Sequence, residues 1–279
     1  MKNMIFLLLL FASIIAHSAT YYISPTGNDT SGNGSISSPW FTLNKAWTVI
    51  AAGDVIYMRG GTYAYNSTQV LTGKNGTSSN RILVTAYANE KPIVTKQTPF
   101  TYHNRNFTSL IFISANYITI SKLELTGFTQ QDIYLWMPIC LHTANNCIIQ
   151  DLKVHHNGNG IRVTEASGGN LIVNCDIHDN HDPVSSTPYD DCDGVNIDYI
   201  PAGNTNTIRG CRIYYNADDG VDLWRNNGIA VVDHCWIWGH GYAENHTTEV
   251  GNGNAIKLGE TTTTDAAVRR IITNNLMFL

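Results

Sequence analysis

Five short segments of the 279-residue chain superpose on one template: IIQDLKVHHNGNGIRV, LIVNCDIHDN with DCDGVNI, TIRGCRIYYNADDGVDL, VVDHCWIWGH with GNAIKL, and IITNNLMFL. One inward position is held in turn by Leu152, Cys175, Cys211, Cys235 and Leu276. Two residues on stand Val154, Ile177, Ile213, Ile237 and Phe278, and three further on Asn157, Asn180, Asn216 and His240. Gly160 with Ile161, Gly194 with Val195, Gly220 with Val221 and Ala255 with Ile256 then open a second short strand. Self-similarity of this kind is the mark of stacked coils, none of which can bury its apolar face alone.

The register also fixes which residues are spatial neighbours. Arg162, Asn196, Asp222 and Lys257 share one outward position of successive coils; Asn159, Asp193, Asp219 and Asn254 share another, three residues earlier. Equivalent residues of stacked parallel strands lie roughly 4.8 Å apart. Asp193 is therefore expected beside Asp219, and Asp222 beside Lys257, with Asp218 at the same turn.

Four carboxylates in one neighbourhood repel unless something neutralises them. A Ca²⁺ ion would do so, since it is hard, takes roughly six to eight oxygens and tolerates irregular geometry. The plainer reading of DDG is a turn, because Asp and Gly suit turns. Asp222, however, lies past the turn and on the strand. A calcium ion with a purely structural role is a third reading. Lys257 taken alone is a solvated charge. Beside a bound divalent cation its ammonium would be destabilised, which suits a general base working toward alkaline pH.

The remaining features set the context. Residues 1–19 carry Lys2, a short apolar run and the small residues of AHSA, the pattern of a secretory leader, too short for a membrane anchor. Residues 20–279 then form one β-helix domain, secreted or periplasmic, and expected to be a monomer. The formal charge is −5, which argues against nucleic acid as partner; no later run is apolar and long enough to span a membrane. Cys175, Cys211 and Cys235 fill the slot that Leu152 fills elsewhere, so they read as small core residues; the pairing of Cys140, Cys147 and Cys192 stays open.

Near the start, FTLNKAWTVIAAGD spaces Leu43, Ala46, Trp47 and Ile50 as a helix of about three turns does. It is expected to cap the first coil. From residue 81 onward short strands alternate with Asn, Gly and Thr turns. Spacings beyond a single coil place insertions at 181–192, 241–253 and 260–265, beside the aspartate and lysine columns. The strand pattern running into Leu279 leads us to expect that further coils and a C-terminal cap belong to a longer protein.

The segments DCDGVN, NADDGVDLW and GNAIKLGE, with the opening YYISPTGNDTSG and GDVIYMRGGTY, resemble polysaccharide lyase family 9 from Tyr21 onward. That resemblance implies an all-β, right-handed parallel β-helix. It implies a calcium-dependent pectate lyase that cleaves galacturonate-containing polymers by β-elimination, with a rhamnogalacturonan lyase of the same fold as the alternative. Calcium ligands would fall on Asp193, Asp218, Asp219 and Asp222, the catalytic base on Lys257, and the asparagine column would be an internal ladder in which His240 is a departure. Arg162 is a candidate to bind a substrate carboxylate, against the plainer reading of a solvated arginine. Two further readings stand: a glycoside hydrolase using paired aspartates, and a non-catalytic surface β-helix with structural calcium. Trp224, Trp236 and Trp238 could stack on sugar rings, or be outer-face packing for the last two. His155, His156, His178 and His234 form no constellation by spacing.

Overall fold

The computed structural model describes residues 18–130, 135–184, 187–259 and 269–278. Among the described residues, three parallel sheets of nine, seven and eight strands run the length of the molecule. Each turn of the chain contributes one strand to each sheet. Ile148–Gln150, Lys153–His155 and Ile161–Thr164 make one such coil; Asn170–Val173, Asp176–His178 and Val195–Asp198 make the next. The leader reading falls mainly on residues 1–17, outside the described residues. Among the described residues, no helix is long and apolar enough to cross a membrane.

The repeat register holds through the middle of the chain. Leu152, Cys175, Cys211 and Cys235 all lie in the core. All six cysteines are free and buried. The thiols of Cys175, Cys211 and Cys235 point at carbonyls of Ile149, Ile172 and Ile208, 3.7–3.8 Å away. At the last coil the superposition is one residue out. Leu276 pairs with Trp236, Met277 with Ile237 and Phe278 with Trp238. Asn275 thus follows the corner and offers its side-chain oxygen to the Cys235 amide at 2.8 Å. The corner itself shows why. Asp151, Asn174, Gly210, His234 and Asn274 each have φ between 52° and 62° and precede the core slot. Glycine adopts that conformation freely, and Asn, Asp and His are enriched there. The marker is therefore Asn274, not the first apolar residue after it.

Among the described residues, the expected three-turn helical cap is not formed. The helix is only Leu43–Trp47, five residues, with Thr42 as its N-cap. Local bonding explains the early stop. The Thr48 hydroxyl donates back to Lys45 O at 2.7 Å, and the Val49 amide donates to Ala46 O at 3.2 Å, tightening the last turn. Asp54 then accepts from the amides of Ala51 and Ala19 at 2.8 and 2.7 Å, fixing the chain in a turn. Leu43, Ala46, Trp47 and Ile50 are nonetheless buried with Trp40, so the pattern marked burial correctly while overstating helix length.

The asparagine ladder holds the coils in register. Asn157 Nδ2 donates to Asn180 Oδ1 at 3.0 Å, and Asn180 Nδ2 to Asn216 Oδ1 at 2.8 Å. His240 continues the column, its Nδ1 accepting from the Asn216 amide at 3.3 Å. Burial pushes its pKa down to about 4, which keeps the ring neutral and Nδ1 able to accept. Asn180→Ala removes a fully buried amide and strands its neighbours. A loss of about 3 kcal/mol is expected, read as a lower urea midpoint at unchanged m-value; an unchanged midpoint would show that the ladder carries no stability.

Candidate active site

The seven-stranded sheet carries the site on its outer face. Its register pairs Arg162 with Asn196, Asn196 with Asp222 and Asp222 with Lys257, the column expected from the repeat. The second column is also met. The Asp219 amide donates to Asp193 Oδ1 at 3.3 Å, and Asn254 donates its amide and its Nδ2 to Asp219 Oδ1 at 2.9 and 2.8 Å.

One oxygen from each of Asp193, Asp219 and Asp222 lies within 4.8 Å of the others. All three residues are buried. Lys257 Nζ stands 3.2 Å from Asp222 Oδ2 and 3.3 Å from Asp219 Oδ2. Asp222 Oδ1 and Asp219 Oδ2 are buried and accept no hydrogen bond. Asp193 Oδ2 accepts from Asn196 Nδ2 at 3.1 Å, while Asn196 Oδ1 is left without a donor. Three carboxylates against one ammonium leave negative charge uncompensated. The donor set is all oxygen, so a hard divalent cation fits it, with the buried oxygens as its ligands.

The electrostatics agree. Burial, then Asp222 and its neighbouring aspartates, push the Asp193 carboxyl far above the usual range. Burial raises Asp222 to about 6 against the opposing pull of Lys257. Burial would lower the Lys257 pKa, but Asp222 and Asp219 outweigh it and hold the ammonium above the ordinary lysine range.

Asp218 faces differently. Its carboxylate accepts from the backbone amides of Asp191, at 3.0 Å, and of Asn252. It is buried beside the group without being one of the three. These two amides belong to the insertions at 181–192 and 241–253, which do flank the aspartates. The third insertion lies outside the described residues.

Arg162 is buried, not solvated. It forks onto Asp198, Nε to Oδ1 at 3.2 Å and Nη2 to Oδ2 at 2.5 Å. It nevertheless lines the same cleft of about 380 Å³ as Asn196, Asp222, Trp224 and Lys257. Spacing did not single out Tyr199, which also lines this cleft; its signal was a large aromatic one residue past the strand end. Trp238 is packing, stacked between Tyr214 at 4.4 Å and Phe278 at 5.5 Å. His155, His156 and His178 do associate in space, whereas His234 pairs with Asp233. His155 stacks on His178 at 5.0 Å and His178 on Tyr214 at 4.6 Å, an outer stack on another sheet that continues through Trp238.

A coil stack with an oxygen-lined acidic group and a lysine on an outer sheet face defines a parallel β-helix with a candidate cation site. Residues 21–279 match the family described as Pel9A-like, right handed beta helix region. The chain belongs to this family, polysaccharide lyase family 9. It is 30% identical to Pectate lyase L of Paenibacillus polymyxa, over 96% of this chain and 59% of that protein. It is 28% identical to Pectate lyase PEL9 of Emericella nidulans, over 96% of this chain and 69% of that protein. The fold is shared with the crystal structure of pectate lyase Pel9A, at TM-score 0.72 and 22% identity, covering 94% of this chain and 62% of that one. A rhamnogalacturonan lyase structure superposes at TM-score 0.71 and 24% identity, covering 93% and 68%. The chain thus spans little more than half the length of the first of these curated relatives.

Proposed function

We propose that this chain is the catalytic β-helix of a calcium-dependent lyase that cleaves a galacturonate-containing pectic polymer by β-elimination. Homogalacturonan is the preferred substrate. The observation that carries the reading is Lys257 Nζ held 3.2–3.3 Å from two members of a buried three-aspartate group, inside an open cleft. Asp193, Asp219 and Asp222 would hold the cation, with Asp218, the fourth carboxylate of the resemblance, bordering them. When bound, Ca²⁺ would neutralise a uronate carboxylate and stabilise negative charge developing beside it.

The residues then have distinct tasks. Lys257 removes the proton at C-5 of the uronate, for which it must be neutral. Its two carboxylate neighbours oppose that as long as they face only the ammonium. Their engagement with a divalent cation removes the opposition. Asn196 anchors the Asp193 carboxylate, and Asn254 anchors that of Asp219. Arg162, fixed by Asp198, borders the substrate path and could receive a second carboxylate. The leader-like pattern of residues 1–19 supports export to the compartment where such polymers are met.

One observation favours a hydrolase: burial lifts Asp222 to about 6, a range that suits a general acid. One assay separates the readings. Elimination leaves an unsaturated sugar that absorbs in the near ultraviolet, whereas hydrolysis releases reducing ends without it. The expected result is a rising absorbance on polygalacturonate with Ca²⁺ that stops on chelation. Reducing ends without absorbance would convict the lyase reading and favour the hydrolase.

A further inference from the structure

A second group of ligating side chains gathers beside the eight-stranded sheet, apart from the aspartates. The insertion at 241–253 forms a hairpin, with Tyr242 bridged antiparallel to Glu249, and its tip rests on the coil stack there. His246 at the tip stacks on Tyr215 at 4.2 Å and shares Asp179 with His178, each ring nitrogen 2.6 Å from a carboxylate oxygen. Beside it Glu244 turns its two oxygens to two imidazoles. Oε1 lies 3.9 Å from His156 Nε2, and Oε2 lies 3.4 Å from His181 Nε2.

The hydrogen bonds behind His156 fix its tautomer. His155 Nε2 is 3.1 Å from Glu124 Oε1, and a carboxylate only accepts, so that nitrogen carries the proton. Burial lowers the His155 pKa and keeps its ring neutral, which leaves its Nδ1 an acceptor. His156 Nδ1, 2.7 Å away, is then the donor. The neutral His156 ring is left with a bare Nε2 that faces a carboxylate oxygen. Two acceptors face to face call for a cation between them. A carboxylate that orients a histidine through its other nitrogen is also what stands behind metal-binding imidazoles. Burial lowers the His181 pKa as well, so a second neutral imidazole faces the same carboxylate.

We propose that His156, His181 and Glu244 form a second cation site, which takes a zinc-class divalent ion and fastens the hairpin to the coil stack. Two imidazoles and a carboxylate suit Zn²⁺, whereas Ca²⁺ takes oxygen ligands. Ligands on one such ion stand roughly 3.3 Å apart, against the 3.4 and 3.9 Å found here. The three ligand atoms do not yet all lie within 4.8 Å of one another, so the ion draws them together. The Glu244 side chain, 63% exposed, and that of His156, 46% exposed, are free to turn. A cleft of about 400 Å³ bordered by His181, Tyr189 and Glu244 admits the ion and its water. The fastened hairpin is the one whose Asn252 amide meets Asp218, so zinc would stiffen one wall of the aspartate group.

The test titrates the full, tag-free chain with Zn²⁺ in a calorimeter, after removal of trace metal and with Ca²⁺ kept in excess. Wild type is expected to take one equivalent that Glu244→Gln and His181→Gln bind at least about tenfold more weakly. His234→Gln, at the separate pair with Asp233, should bind as wild type does. Zn²⁺ should also raise the melting temperature of wild type, and that of Glu244→Gln much less. Glu244 is exposed at the hairpin tip, so its variant keeps the fold even if loss of the buried His181 ring does not. No zinc binding by wild type, or equally tight binding by Glu244→Gln, overturns the site. A loss in His234→Gln as large as in the other two marks scattered surface binding and overturns it as well. No activity enters the measurement, so its failure leaves the lyase reading standing.

Discussion

Replacing Lys257 with Arg is expected to cost at least about a hundredfold in kcat on polygalacturonate while fold and calcium binding survive. The substitution keeps the positive charge beside Asp219 and Asp222. It withholds the one thing a base must do, since arginine stays protonated across the working range. Lys257 is suited to both states. Its ammonium is stabilised by Asp222 and Asp219, which override the opposing effect of burial. A cation that engages those carboxylates would release it toward the neutral amine. Activity should therefore rise toward alkaline pH with Ca²⁺ present and be absent at every pH without it.

Stability carries the opposite sign. A lysine whose folded pKa is raised stabilises the fold fully below its unfolded pKa, and loses that contribution only as pH climbs through the folded value. The rising limb of activity would thus precede any loss of fold from this group. Lys257→Ala removes the ammonium that competes for the carboxylates, so its calcium affinity should equal or exceed that of wild type. Either variant keeping more than a tenth of the wild-type rate, about 1.4 kcal/mol, would mean that another group is the base.

Much of this site was legible in the chain because a solenoid turns sequence spacing into distance. The Asp222–Lys257 neighbourhood followed from register alone and is met residue for residue. What register could not supply was side-chain direction. Asp218 precedes Asp219 directly, yet its carboxylate accepts from backbone amides of two insertions, whose paths the repeat does not encode. Arg162 sits at its expected position, but the buried fork onto Asp198 depends on a residue one coil away and two places along. His155 and His178 looked scattered because they lie on a different sheet, where register stacks them. The helix failed for a local reason. Periodicity reported burial of Leu43, Ala46, Trp47 and Ile50, while Thr48 and Asp54 diverted the backbone bonds that a longer helix needs.

Asp193→Asn should stabilise the metal-free chain and weaken Ca²⁺ binding by about a hundredfold or more. Asp193 is fully buried, and its carboxyl is pushed up first by burial and then by Asp222, Asp218 and Asp219. Asp218 and Asp222 are raised as well, the latter to about 6. A carboxyl with a raised folded pKa binds its proton more tightly in the folded state. Stability is then highest in acid and falls as pH rises from the unfolded value, about 4, through the folded one. These carboxyls should accordingly pull the melting temperature of the metal-free protein down as pH rises from about 4 to about 6 and as Asp193 ionises. Asp179 and Glu90 have lowered values, and Asp233 is lowered to about 2, so they act with the opposite slope below about pH 4. His240, lowered to about 4, and the lowered His155 and His181 act with the opposite slope inside the window, so the aspartate contribution is read as the difference between wild type and Asp193→Asn. Saturating Ca²⁺ should flatten the decline, since it compensates the carboxylates once they ionise. The neutral amide of Asp193→Asn removes one buried charge at equal size. An increase of roughly 3–6 °C at pH 7 in chelator is expected, the shift that 1–2 kcal/mol gives in a chain of this size. Melting curves from pH 4 to 8, in chelator and in Ca²⁺, read both effects. A stability gap between variant and wild type in chelator that does not widen as pH rises, or a variant no more stable than wild type in chelator yet binding Ca²⁺ equally well, would remove these aspartates from the metal site.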